Sequence, residues 1–223
     1  PLHIAAHSEH KHTQPASPLA VPSAQAAPST RQVLAPGYRP LTYSAPAAGT
    51  YDLPVLFDAA DGDVLRDDGQ RVRLHDVLGS RVTVLGFMYT RCDDVNGCPL
   101  ATAVFHQLMT RLKAEPAVAS AVQLVTFSFD PQHDTPELMR EQREMHTNGT
   151  TFDWHFVTTA STAVLAPMLD AYDQTVLRHK DEAGNSTGAY SHILRVFLID
   201  TERRVRNIYS VAFLHAETLA NDV

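Results

Sequence analysis

The chain has 223 residues, 44% of them hydrophobic, and its 18 basic and 25 acidic residues give a net charge of −7. That length suits one domain of ordinary size with a tail, and the apolar fraction is enough to build a core without a disulfide framework. The acidic balance argues against broad nucleic-acid binding or a polybasic membrane surface. No run of about 18 apolar residues is present to span a bilayer.

Residues 1–50 hold eight of the fourteen prolines and eleven alanines, with few large apolar side chains. They read as a flexible or partly extended tail, and residues 51–223 as the folded domain. His3, His7, His10 and His12 cluster at the head of the tail, a composition suited to weak, labile metal binding. The chain opens on Pro1 rather than Met and closes within an amphipathic segment. Both ends are therefore read as cut, with room for an export signal or membrane tether upstream of Pro1.

From Tyr51 short extended pieces alternate with the turns Asp61-Gly62-Asp63 and Asp68-Gly69, and the period-two pair Val72 and Leu74 predicts a strand. Arg81 to Tyr89 (RVTVLGFMY) has the β-branched and aromatic character of a central strand. Next comes CDDVNGCP, which holds the only two cysteines, Cys92 and Cys98. Pro99 suits the first turn of a helix, and Leu100, Val104, Leu108 and Leu112 recur at helical spacing. Cys98 is thus placed at a helix N-terminus, where free amides and the dipole favour a thiolate.

A second strand, Val122 to Phe129, ends at Asp130-Pro131, and a helix opens at Pro136 with Thr135 as its cap. Trp154 to Val157 reads as a strand, Ser161 to Ala171 as a helix and Ile193 to Ile199 as a strand. Val205 to Tyr209 follows across the Asp200-Thr201-Glu202 turn, and a final helix begins near Leu214. Strands alternating with helices and closing on a late hairpin imply an α/β fold on a central mixed β-sheet flanked by helices. Functional sites in such folds gather beyond the carboxyl ends of strands, where the first central strand delivers its cysteines.

Two chemistries are open to the pair. A Cys92–Cys98 disulfide would close a seven-residue loop worth about 2.4 kcal/mol in the chain-entropy treatment. Thiol–disulfide exchange would then make both cysteines catalytic. Alternatively, the two thiolates form a soft clamp suited to copper(I). A third ligand would separate these readings, and His192, just ahead of the strand ILRVFLI, is the leading candidate. His75 and His106 read as surface or packing residues, His133 as a loop residue, His155 and His179 as strand residues, and His215 as opening the last helix. A non-catalytic interaction module is the third class of reading.

Phe87, Tyr89, Thr90, Cys92, Cys98 and Pro99 form one motif, and Asp130, Pro131, Asp134, Thr135, Pro136 and Glu137 a second. Trp154 and Phe156 make a third, and His192 followed by Phe197-Leu198-Ile199-Asp200 a fourth. In this order they resemble the SCO/SenC family of thioredoxin-like copper proteins that help assemble the dinuclear copper centre of cytochrome c oxidase. The resemblance spans roughly Tyr51 to Val223. It implies a thioredoxin-like fold in which Cys92, Cys98 and His192 bind one copper ion, Cu(I) or Cu(II), with His192 on a loop facing the cysteine-bearing helix. It further implies a metallochaperone for respiratory oxidase assembly. The expected setting is the bacterial periplasm or an equivalent exported compartment, with a respiratory copper protein or thiol-redox partner, in a monomer or weak dimer. A thiol–disulfide oxidoreductase is the alternative. Asp130 and Asp134 are read as mainly architectural.

The chain departs from the family pattern in one respect. Family members usually place three residues between the cysteines, whereas this chain has five. Asp93 and Asp94 within that gap are expected to raise the thiol pKa values, against the pull of the helix N-terminus.

Overall fold

The computed structural model describes residues 34–223. His3, His7, His10 and His12 lie outside the described residues. In chain order the elements are β1 (Phe57–Asp58), β2 (Asp63–Arg66), β3 (Arg71–Arg73), α1 (Leu74–Leu78), β4 (Val82–Met88), α2 (Cys98–Leu112), α3 (Pro116–Ala121), β5 (Val122–Ser128) and α4 (Pro136–Thr147). They continue with β6 (Trp154–Thr158), α5 (Thr162–Ala171), β7 (Val176–Lys180), β8 (Ser186–His192), β9 (Val196–Ile199), β10 (Arg204–Tyr209) and α6 (Ala216–Asp222). None of the described helices is long and apolar enough to cross a membrane.

Eight strands form one mixed sheet in the order β1-β10-β9-β4-β5-β6-β2-β3. Strands β4, β5 and β6 run parallel at its centre, and β9 and β10 extend it antiparallel on one side. The central strands are covered on both faces, which is why they read as unbroken apolar runs rather than alternating ones. On one face Gly86 lets Phe105 of α2 approach, since an added Cβ would lie 3.2 Å from that ring. On the other, Phe87 packs against Phe127, Phe197 and Tyr172 at centroid distances of 5.2, 5.9 and 5.2 Å. This is the thioredoxin-like α/β arrangement, a mixed sheet between helices.

Three local differences from the sequence reading have plain causes. Val72 lies in β3, but Leu74 starts α1, because the chain turns into a helix where the period-two pattern still held. The stretch from Val176 to His192 makes a separate two-stranded sheet of β7 and β8, whose polar, exposed residues carry no buried-face pattern. His192 is accordingly the last residue of a strand rather than part of a loop, and Ile193 to Arg195 link it to β9. Upstream, Ala35 is buried against the domain and Tyr38 stacks on His215 at 4.5 Å.

Candidate metal centre

Strand β4 ends at Met88, and the chain turns so that the Cys92 amide donates to the Tyr89 carbonyl at 3.3 Å. Cys98 is the first residue of α2, with Gly97 as the N-cap and Pro99 in the first turn. The gap between the cysteines is ordered by its own side chains. Asp94 accepts from the Asn96 amide at 3.0 Å, its carbonyl accepts from the Gly97 amide at 2.8 Å, and the Asn96 side chain accepts from the Gly37 amide at 2.6 Å. Both thiols are free, Cys92 half-buried and Cys98 buried at 5% exposure.

His192 reaches this pair from the end of β8. Its Nε2 lies 3.9 Å from Cys92 Sγ and 3.7 Å from Cys98 Sγ, and the three donor atoms all fall within 4.8 Å of one another. The ring is set between Tyr89 and Phe129, at 6.2 and 4.9 Å. Its other nitrogen, Nδ1, is buried with no hydrogen-bond partner among the described residues. Sequence reasoning from the residues alone left His192 as one candidate among several, and the fold brings it, and no other histidine among the described residues, into a donor cluster with the cysteines.

The two thiols divide one charge unequally. Cys98, the more buried, keeps its proton and donates it toward Cys92, whose pKa is held well below the ordinary thiol range by that bond, by His192 and by backbone amides. Among those amides is that of Asp94, so this residue acts on Cys92 through its N–H and lowers the pKa. The sequence expectation of raised thiol pKa values holds for Cys98, where the bond to Cys92 and burial are the causes, and fails for Cys92.

Behind the donors stand two buried carboxylates. Asp134, fully buried, accepts from the Thr90 amide at 3.2 Å, the Thr90 hydroxyl at 2.5 Å and the Ser128 hydroxyl, fixing the turn that carries Cys92. Asp130, 1% exposed, accepts from Arg91 at 2.7 Å and from the Tyr190 hydroxyl at 2.7 Å. Arg91 adjoins Cys92 and Tyr190 lies two residues before His192 on the same face of β8, so one carboxylate ties both ligand-bearing segments together. Tyr190 holds its proton to about pH 12, because burial and the carboxylate both disfavour the phenolate. Arg91 and Tyr190 were not singled out from the sequence. Their positions beside Cys92 and two residues before His192 were the available signal.

The family model described as SCO1/SenC matches residues 61–223. The chain belongs to the SCO1/SenC family. Among curated relatives, the SCO1 protein homolog of Bacillus subtilis (strain 168) is 30% identical over 88 residues, which is 40% of this chain and 42% of that protein. The alignment thus spans less than half of that relative's length. A SCO1/SenC family lipoprotein from Bacillus anthracis str. Ames superposes with a TM-score of 0.62 at 26% identity, covering 79% of this chain and 96% of that one. The Arabidopsis thaliana ScoI structure with copper bound superposes at 0.60 and 21% identity, covering 73% of this chain and 93% of that one, a likeness of fold. This SCO1/SenC chain therefore carries a Cys-x5-Cys pair and a histidine whose donors converge as a set able to coordinate a metal.

Proposed function

We propose that this chain is a copper metallochaperone for respiratory oxidase copper-centre assembly, holding the ion through the Cys92 and Cys98 thiolates and the His192 imidazole. The observation that carries the reading is the approach of His192 Nε2 to both free thiols, at 3.7 and 3.9 Å, from an element far away in sequence. Two soft sulfurs suit copper(I), and an imidazole nitrogen accommodates copper(II) as well. Family membership supports the role, and the copper-bound Arabidopsis relative supports the choice of metal. With Cys92 only half-buried, copper can leave by stepwise ligand exchange to a respiratory copper protein. The Bacillus anthracis relative is a lipoprotein, which favours an exported, membrane-tethered setting such as the periplasm for this chain too.

Anaerobic copper titration of the reduced protein tests the assignment. Loss of one tightly bound copper is expected in His192→Ala and in Cys98→Ser, and wild-type stoichiometry and affinity in both would overturn it. The thiolate bias of the accessible Cys92 favours thiol–disulfide exchange as the second reading. It requires an exchange rate above that of the Cys92→Ser/Cys98→Ser variant.

A further inference from the structure

A cavity of about 460 Å³ opens behind the cysteines, between α2 and α4. Cys92 and Cys98 line it at one end and His106 and His146 line it too. Cys98, Thr102 and His106 stand at i, i+4 and i+8 on α2, so they share one helix face. His106 therefore lies about 12 Å along the axis from Cys98 at 1.5 Å per residue. On α4, Met139 and His146 face the same space, and Met88 at the end of β4 completes the soft donors.

The two imidazoles meet directly, with His106 Nε2 3.0 Å from His146 Nδ1. One nitrogen of that bond donates and the other accepts, so at least one ring is neutral. Burial disfavours the charged form of both. Packing holds the rings in place: each lies 5.2 Å from Trp154, and His146 stacks on Phe156 at 5.8 Å with an interplanar angle of 4°. Two buried thioethers border the same cavity, and Met88 Sδ is close enough to accept from the Thr102 hydroxyl at 3.7 Å. Hydrogen bonding within an aromatic cluster explains the contact between the rings. It does not explain why two imidazoles and two thioethers surround one open space that also reaches two thiols.

We propose that His106 and His146 form a second copper(I) site in this cavity, whose wall also holds the Met88 and Met139 thioethers. Binding needs no net proton release. The proton on the nitrogen that donates in the His106–His146 bond moves to the far nitrogen of the same ring, leaving both facing lone pairs free for the metal. Metal–imidazole bonds of about 2 Å place two ligating nitrogens about 3.3–4 Å apart, depending on the angle at the metal, so the rings separate by at most about 1 Å from where they stand. Neutral imidazole and thioether are the donor classes that take copper(I) without adding charge to a half-buried site. This site is independent of the Cys92, Cys98 and His192 assignment. It would give the cavity a copper-holding end on the same helix face as Cys98.

The test uses the full chain carrying Cys92→Ser, Cys98→Ser and His192→Ala, so that the thiol site is removed whatever it binds. Titration with copper(I) against a chromophoric chelator is expected to show one more bound copper than in the same protein with His106→Phe and His146→Phe added. That difference cancels any binding by the four histidines of residues 1–33. X-ray absorption of the extra ion is expected to show nitrogen ligation, with sulfur where a thioether joins. Phenylalanine preserves the aromatic stack, and circular dichroism checks the fold. In the wild-type chain, which needs no substitution, copper(I) is expected to shift the His106 and His146 ring resonances. Equal stoichiometry with and without the histidine pair, or ring resonances that do not respond to copper(I), would overturn the proposal and leave the pair as aromatic packing only.

Discussion

Removing a single oxygen in Tyr190→Phe tests whether the β7–β8 hairpin, and with it His192, is held to the domain by Asp130. The hairpin pairs with no strand of the main sheet, and an isolated two-stranded hairpin is marginally stable by itself. Its polar anchors include the Tyr190 bond to Asp130, Arg178 on Gln132 at 2.6 Å and Gln174 on the Ile193 carbonyl at 2.7 Å. Phenylalanine keeps the ring contacts with Tyr89 and Phe129, at 5.0 and 5.6 Å, and deletes only the hydroxyl. A hydrogen bond to a charged group contributes about 1.5–3 kcal/mol. The lower end applies because Asp130 keeps Arg91, whose side chain is 43% exposed and draws on water. About 1.5 kcal/mol is roughly tenfold in an opening equilibrium. Amide hydrogen exchange in residues 176–192 is therefore expected to accelerate about tenfold in the apo variant. Unchanged exchange in the hairpin would refute the reasoning.

Asp134→Ala leaves the Thr90 and Ser128 hydroxyls and the Thr90 amide without their acceptor, in a spot with no exposure. At about 1–3 kcal/mol for each unsatisfied group, the urea midpoint is expected to fall by the equivalent of about 3 kcal/mol or more, with Asp134→Asn recovering part of it. A loss under about 1 kcal/mol would mean that the pocket rehydrates freely. Acid sensitivity follows from His106, His146 and His155, whose pKa values burial lowers. Because the unfolded chain binds these protons first, the neutral rings' contribution is complete above about pH 6.5 and declines as pH falls through the lower folded values. The melting temperature is expected to drop between about pH 6.5 and 5, less steeply in His146→Phe, and identical slopes in the two proteins would contradict this.

The central strands and the helix carrying Cys98 were legible because they obey strong local rules. β4 and β5 are continuous apolar runs, Pro99 marks the first turn of α2, and Thr135 caps α4 by accepting from the Leu138 amide. The β7–β8 hairpin was not legible, since Arg178, His179, Lys180 and the polar residues around Gly184 give no alternating face. The meeting of His192 with the cysteines spans about a hundred residues and is encoded in sheet order, which no local spacing reveals. Only the resemblance to the SCO/SenC family carried that link at the level of sequence. The same limit hid the His106–His146 contact, where two helices each contribute one ring to a space that neither defines alone.

The five residues between the cysteines have a consequence for how this family can vary. Cys92 is placed by the end of a buried strand and Cys98 by the start of a buried helix, so sheet and helix packing, and not the residue count between them, fixes where the sulfurs sit. The added length is taken up by Asp94 folding the loop onto itself and by Asn96 gripping the backbone at Gly37, where an added Cβ would come within 2.8 Å of its oxygen. Insertion at this point is thus geometrically silent for the metal donors. It changes instead the outer face above the donors, where Val95 stands exposed, so that surface can vary over evolution without rebuilding the donor set beneath.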